Sequence, residues 1–512
     1  MNQEIILPLL VPIITAILSI VFRKREKIRD YISFTGSLFY LVSVLLLSSK
    51  VFSSGAVSYQ AGGWPAPFGI TLVADHLSVL MLLLTASVSL AVNLYSWGYI
   101  DGQGKKSGYY SFLHFMLAGM SGAFVTGDLF NLFVMFEVVL MSSYAMVAYS
   151  GTGRSLFTSL KYVVLNLIGS SLMLIAIGGL YSVTGTLNMA DMAVVLSEGN
   201  INMIPVLGLS MILFCVFATK SGLVPFHFWA PPVYSNSPPP ASALMAGISK
   251  KVGIYAVVRI YITVLSGAKI PETALILAGE PLNLVTGYLV GFTAVATVLL
   301  GGISAVNRQN FDELLAYSSV GQIGFIYMPV SLAMISGNQT FLIAALVYLV
   351  AHGLAKPALF MISGMIERMT GTSGLEDLGG LSESAFTLSA ALFVSLFSLV
   401  GIPPLLGFFA KMLAFSVPVT SGNFFLLGIM LIGALFTLVY SSKAWLEIFF
   451  GQPVEYDKSR ISRKEALSVI ILAVMILVLG VNFEPVYQFT EQAAYSAANT
   501  EKYVETVLGG IK

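Results

Sequence analysis

Eight basic residues fall inside apolar stretches of about twenty residues or more: Lys161, Lys220, Lys250, Lys251, Arg259, Lys356, Lys411 and Lys443. Glu137 is the one carboxylate near the middle of such a stretch, and His352 the one histidine. A charge at the centre of a bilayer costs about 2.5–3.5 kcal/mol, so five together cost more than roughly 10 kcal/mol. A purely structural helix would use leucine. Groups that gain and lose protons at depth are what a proton pathway requires. An ammonium in water holds its proton to a pH of about 10, which is too tight for relay work. Burial weakens that hold and a nearby carboxylate strengthens it, so a Lys–Glu pair makes a switchable donor. His352 and Lys356 are spaced i, i+4 and share a helix face, which suits a histidine handing a proton to a lysine.

The positions are not equivalent. Arg259 and Lys443 lie near stretch ends, from which a long side chain reaches the headgroups. Lys161 lies about a turn inside its helix and is undecided. Lys250 and Lys251 are about 100° apart on a helix, so only one can face a given partner. Glu137, Lys220, one of that pair, His352, Lys356 and Lys411 remain as proton-transfer candidates.

Helix breaks point to the same places. Gly222 and Pro225 follow Lys220, Gly353 and Pro357 flank Lys356, and Pro403 and Pro404 precede Lys411. Proline removes backbone hydrogen bonds, which is tolerated at membrane depth where the backbone lines a protein-enclosed wet cavity. Interruptions at corresponding places in two halves mark inverted-repeat transporters.

The elements that must position these groups are membrane helices. Of 512 residues, 57% are hydrophobic and only 10% charged, far from the roughly 25% charged residues of a soluble domain. A net charge of +1 gives no field for nucleic acid, and the single cysteine, Cys215, excludes a disulfide framework or a thiolate metal site. No metal site and no cofactor are expected. Apolar stretches recur at 4–22, 31–50, 75–99, 109–127, 129–149, 157–182, 202–221, 240–264, 284–306, 314–335, 340–366, 384–416, 421–449 and 466–483. This predicts an all-α polytopic membrane protein with about fourteen transmembrane helices. The basic cluster from Arg23 to Arg29 follows the first apolar stretch, the reverse of a cleavable signal. Alternate loops carry fourteen Lys and Arg against four (Lys50, Lys269, Lys502 and Lys512), which predicts both termini on the outer side of a cell membrane. The longest loop, roughly 50–74, reads as a turn-rich external cap.

Several stretches are recognisable: Gly127-Asp128-Leu129-Phe130-Asn131-Leu132-Phe133-Val134-Met135-Phe136-Glu137, Tyr181 through Asp191, Lys220 through Trp229, and Ala246 through Arg259. To these are added Leu314 through Ser319, His352 through Lys356, and Gly401 through Lys411. With them the chain resembles the antiporter-like subunits of the complex I superfamily over about residues 75–450. The resemblance is closest to the D-type member of the Mrp-type multisubunit Na+/H+ antiporters and its counterpart in membrane-bound hydrogenase complexes. It implies two inverted five-helix repeats with helices 7 and 12 broken, at 109–265 and 284–450, preceded by helices 1–3 in 1–108. A last helix and external tail would occupy 451–512. It also implies a lateral proton chain through Glu137, Lys220, Lys251 rather than Lys250, His352, Lys356 and Lys411, with Lys161, Lys250, His227 and Asp128 secondary. The partners implied are other membrane subunits, H+ and Na+, with Na+/H+ exchange or a redox module in the partners supplying the coupling. Pro232 and Tyr234 replace an Asp and a His of many relatives, Asp312-Glu313 replaces a basic pair, and Gln322 stands where several have His.

Two other readings carry less weight. A stand-alone transporter of a small solute would need a cavity of substrate-shaped hydrogen-bond donors rather than a row of protonatable groups. Quinone chemistry near His227 and Trp229 would need cofactor ligands, which do not accompany them.

Overall fold

The computed structural model describes residues 2–199, 201–270, 279–450, 454 and 456–509. Lys512, counted above among the outer-side charges, lies outside them.

A helix lies on each apolar stretch. In chain order they are α1 (Leu7–Val21), α2 (Glu26–Ser54), α3 (His76–Tyr99), α4 (Tyr109–Val125), α5 (Leu129–Ala148) and α6 (Gly153–Thr184). Next come α7, with arms Met203–Ser221 and Ala230–Asn236, and α8 (Pro239–Val264). The second half holds α9 (Leu282–Val306), α10 (Phe311–Ser336), α11 (Thr340–Thr370), α12 with arms Phe386–Val400 and Leu406–Thr420, α13 (Phe424–Phe450) and α14 (Arg463–Val481). Twelve helices among the described residues are long and apolar enough to cross a membrane. Helix α4, with 17 residues, and the two arms of α12 fall short of that length taken singly.

Helices α8, α10 and α11 are buried almost throughout, and α3 nearly so, whereas α1, α6, α13 and α14 turn long apolar faces outward. The charged residues of the middle helices are therefore shielded by the outer ones. Glycine allows a close contact here: a Cβ on Gly301 would lie 2.4 Å from the Gly321 nitrogen, so α9 and α10 meet backbone to backbone.

Both ends of the described chain meet on one face. A hairpin of β1 (Val57–Gln60) and β2 (Thr71–Ala74) pairs Val57 with Ala74 and Gln60 with Thr71. Asn2 donates to the Ser58 carbonyl (3.1 Å), and the Ser58 hydroxyl donates to the Thr506 carbonyl (2.7 Å). The tail forms α15 (Glu484–Ala498) and α16 (Thr500–Leu508), both lying on that face.

Three expectations change. Helix α11 runs without a break through Gly353 and Pro357. The Pro357 ring instead fits against Gly247 of α8, where a Cβ would come within 2.3 Å of it. Arg29, counted as a loop charge, is 1% exposed within α2, bonded to Asp30 (3.2 Å), which also holds Lys105 (3.0 Å). Arg259 does not reach the headgroups: it is 1% exposed and pairs with Asp75 at 2.7 Å.

Candidate functional site

The first arm of α7 ends at Gly222, which takes a left-handed φ of 74°. The break frees backbone groups, and the protein itself satisfies them. Thr297 accepts from the Val224 N–H (2.9 Å) and the Trp229 indole donates to the Thr219 carbonyl (2.7 Å). Pro225 and Phe228 are exposed, while Gly222, Leu223 and Val224 of the break are buried. Its consequence is positional: Lys220 sits in the last turn of the arm, at the negative end of a helix dipole. The break in α12 repeats the device. Gly401 has a φ of 92°, and the Lys411 ammonium donates to the Val400 carbonyl at 3.0 Å, capping the arm that ends there.

Glu137 and Lys220 are joined through a third residue. Ser170 of α6 donates to the Glu137 carboxylate, and Lys220 Nζ donates to the Ser170 hydroxyl (3.5 Å) and to Asn166 Oδ1 (3.3 Å). Two hydrogen bonds in line hold the charges about 5–6 Å apart.

Helix α8 opens into a π-helical turn at Met245–Ser249, just before its two lysines. Both enter the interior, at 2% and 0% exposed. Lys251 donates to the Gly247 carbonyl and lies 3.1 Å from His352 Nδ1. Lys250 reaches the other way, to the Ser319 carbonyl (2.7 Å) and hydroxyl, with the Tyr234 ring 5.6 Å from its ammonium. The two lysines do face different partners, yet both partners, α10 and α11, belong to the second half. Because Lys251 and His352 Nδ1 form one hydrogen bond, a single proton lies between them, and His352 Nε2 is buried with no partner among the described residues.

One turn on, Lys356 donates to the Leu315 carbonyl (3.0 Å) and the Ser318 hydroxyl (2.5 Å). Gln322 follows on the same face of α10. It donates to Tyr440 and Thr437 (both 3.0 Å) and accepts from Tyr348 (2.5 Å). Phe325, stacked on Tyr348, lies 5.5 Å from the Lys411 ammonium. Gln322 cannot relay as a histidine would, but its hydroxyl partners lie on the way from Lys356 to Lys411.

Of the secondary candidates Lys250 joins this row, and the other three stand apart from it. Lys161 is exposed on the outer face of α6, 4.3 Å from the Phe157 ring. Asp128 caps α5 by accepting from the Asn131 N–H (2.7 Å). His227 is half-buried beside Phe228 at the outward-facing break. His352 is also not the one buried histidine: His114 of α4 is fully buried, 2.9 Å from Ser33. Asn166 and Ser170 are not among the residues the sequence singled out, and Ser318 and Ser319 stand in the Leu314–Ser319 stretch without an assigned role. The i, i+4 spacing of Asn166 and Ser170 within an apolar stretch was the available signal.

Fold and site together define a polytopic membrane protein that carries a row of buried ammonium groups from one half to the other. Residues 126–437 match the family model described as NADH:quinone oxidoreductase/Mrp antiporter, TM, and residues 60–112 match that for the N-terminus of NADH-ubiquinone oxidoreductase (complex I) chain 5. The D subunit of the Na(+)/H(+) antiporter of Bacillus subtilis is 36% identical, over 99% of this chain and 100% of its own length. A chain of the Mrp complex from Dietzia sp. DQ12-45-1b superposes with a TM-score of 0.89 at 26% identity, covering 99% of this chain and 100% of that one. A chain of the membrane-bound sulfane sulfur reductase, an archaeal respiratory membrane complex, gives the same TM-score and coverage at 28% identity. This chain belongs to the NADH:quinone oxidoreductase/Mrp antiporter family.

Proposed function

We propose that this chain is the proton-translocating, antiporter-like subunit of a multisubunit membrane complex. In it H+ passes along Glu137, Lys220, Lys250 and Lys251, His352, Lys356 and Lys411. The partner subunits would couple that movement to Na+ exchange or to a redox module, as the names of the relatives suggest. The observation that carries the reading is how the lysines are held. Apart from Lys220, each rests on neutral carbonyl, hydroxyl, imidazole or aromatic groups. The Ser318 and Ser319 hydroxyls and the His352 ring can serve an ammonium or an amine, while carbonyls and ring faces hold an ammonium without neutralising it. A fixed carboxylate would lock the proton in place.

Among the described residues, Lys220 is the one of these lysines with a carboxylate nearby, and that contact runs through a rotatable hydroxyl. Unit charges about 5.5 Å apart interact by about 3 kcal/mol at an effective dielectric near 20. Protonating Glu137, or moving its carboxylate away, removes much of that attraction and sends the Lys220 proton onward. Waters bridge the longer gaps, and the free His352 Nε2 offers one of them a docking point.

The halves 109–265 and 284–450 act as two inverted repeats in this reading, between an N-terminal unit 1–108 and a C-terminal unit 451–512. The basic loops face the cytoplasm and both termini the outside. The test is proton flux through the intact complex carrying Glu137→Ala or Lys220→Ala. A loss of at least tenfold is expected for Lys220→Ala, and wild-type flux in both variants rules the reading out.

A further inference from the structure

Asp312 points inward rather than outward. Its neighbour Glu313 already answers Arg308 (3.4 Å) at the start of α10. Asp312 instead accepts from the Ser363 hydroxyl of α11 at 2.6 Å. Ser363 is two turns from Lys356 on the same face of α11, and Asp312 is one turn from Leu315, whose carbonyl holds the Lys356 ammonium. One turn of α11 further on, at Glu367, a cavity of about 800 Å³ opens on the face that carries the basic loops. Its walls include Tyr99, Asp101, Asn236, Glu367 and Arg368. Glu367 is one turn beyond Ser363 and exposed to the cavity, while Arg368 is engaged by Glu465 at 3.3 Å. Tyr99 stacks on Tyr95 at 5.3 Å, and the Tyr95 hydroxyl donates to the Met361 carbonyl, beside Ser363. From the cavity inward the order is therefore Glu367 and Tyr99, then Asp312 with Ser363 and Tyr95, then Lys356 with Ser318.

We infer that Asp312 is the port through which the buried row exchanges protons with the basic face, taking them from cavity water and passing them to Lys356. The inference rests on the proposed proton-translocating reading. Between Ser363 and Lys356 the rise along α11 is about 10 Å, which two or three waters span. The step is a proton transfer alone: hydronium in the cavity protonates the Asp312 carboxylate, Asp312 gives that proton through the water file to the neutral Lys356 amine, and water is left behind.

The test compares Asp312→Asn, Asp312→Glu and Lys356→Ala in the full complex, reading proton flux in membrane vesicles against the amount of assembled complex. Expected are at least a tenfold loss in Asp312→Asn and recovery of more than half the flux in Asp312→Glu. Wild-type flux in Asp312→Asn alongside loss in Lys356→Ala overturns the port and leaves the row standing. Wild-type flux in both overturns the row as well. Equal loss in the Asn and Glu variants assigns Asp312 a structural role and overturns the port. Accessibility gives a reading independent of flux. With Cys215, the single native cysteine, changed to serine, Asp312→Cys is expected to react with a membrane-impermeant maleimide from the basic face only. Failure to react from that face overturns the inference.

Discussion

Ser170 is the residue on which the pairing of Glu137 with Lys220 turns. It gives its hydroxyl proton to the carboxylate and receives from the ammonium, so Ser170→Ala leaves both charges with a lost partner. Proton flux in Ser170→Ala is expected to fall about three- to tenfold, less than in Lys220→Ala, and Ser170→Thr is expected to retain most of it. The charged members of the row were legible because a lysine deep in an apolar stretch has few bland explanations. The serines and Asn166 were not, since hydroxyls in membrane helices commonly bond back to their own helix, as Thr219 does to the Cys215 carbonyl. Arg259 was misread for a different reason: nearness to a helix end suggests headgroups, while Asp75, its partner, is 184 residues away. Burial raises the Asp75 carboxyl, but the Arg259 guanidinium and the Ser78 N–H outweigh it and hold the carboxyl below its ordinary value of 3.8. A depressed carboxyl contributes stability that is present above pH 3.8 and lost as pH falls through its lowered value. The pair should therefore hold at every working pH. Asp75→Ala strands a buried guanidinium and is expected to cost about 3–5 kcal/mol, visible as reduced yield of the purified complex.

At the scale of elements, the breaks in α7 and α12 matter for what they leave exposed, a helix C-terminus facing an ammonium. The prolines made both breaks legible, but equally marked Pro357, where α11 stays whole because Gly247 makes room for the ring. A proline shows where a hydrogen bond is missing; the neighbouring helix decides whether the chain bends. Gly401 is the sharper probe of α12. Its φ of 92° disfavours any side chain, and an added Cβ would come 3.0 Å from Lys411 Cδ. Gly401→Ala is expected to add about 1–2 kcal/mol of strain and to push Lys411 off the Val400 carbonyl, lowering flux more than assembly. Thr297→Val removes the acceptor of the Val224 N–H and is expected to destabilise the α7 break by about 1–3 kcal/mol, read as earlier thermal loss of the complex.

For the whole molecule, the all-helical membrane fold followed from apolar length, the most reliable signal a membrane chain carries. Hydropathy also carries a trace of which helices are innermost: α8 and α10 have the lowest mean hydropathies of the twelve spans, 1.3 and 1.4, and α11 stands with α2 and α5 at 1.7. Their burial follows from content: α8 carries Lys250 and Lys251 and α11 carries His352 and Lys356, which only protein can surround, while α10 supplies the Leu315 carbonyl and the Ser318 and Ser319 hydroxyls that hold two of them. Hairpin, tail and residue 2 are bonded together on one face, opposite the basic loops. With Cys215 replaced by serine, Lys502→Cys is expected to react with an impermeant thiol reagent from outside the cell, and Arg154→Cys only from the cytoplasmic side. The opposite pattern inverts the orientation. The central claim is that protons cross from one half to the other through the two lysines of α8. Its most direct measure is proton flux through the fully assembled complex in which Lys250 and Lys251 are both alanine. The expected result is less than one-tenth of the wild-type rate with subunit content unchanged; a rate equal to wild type would contradict the claim.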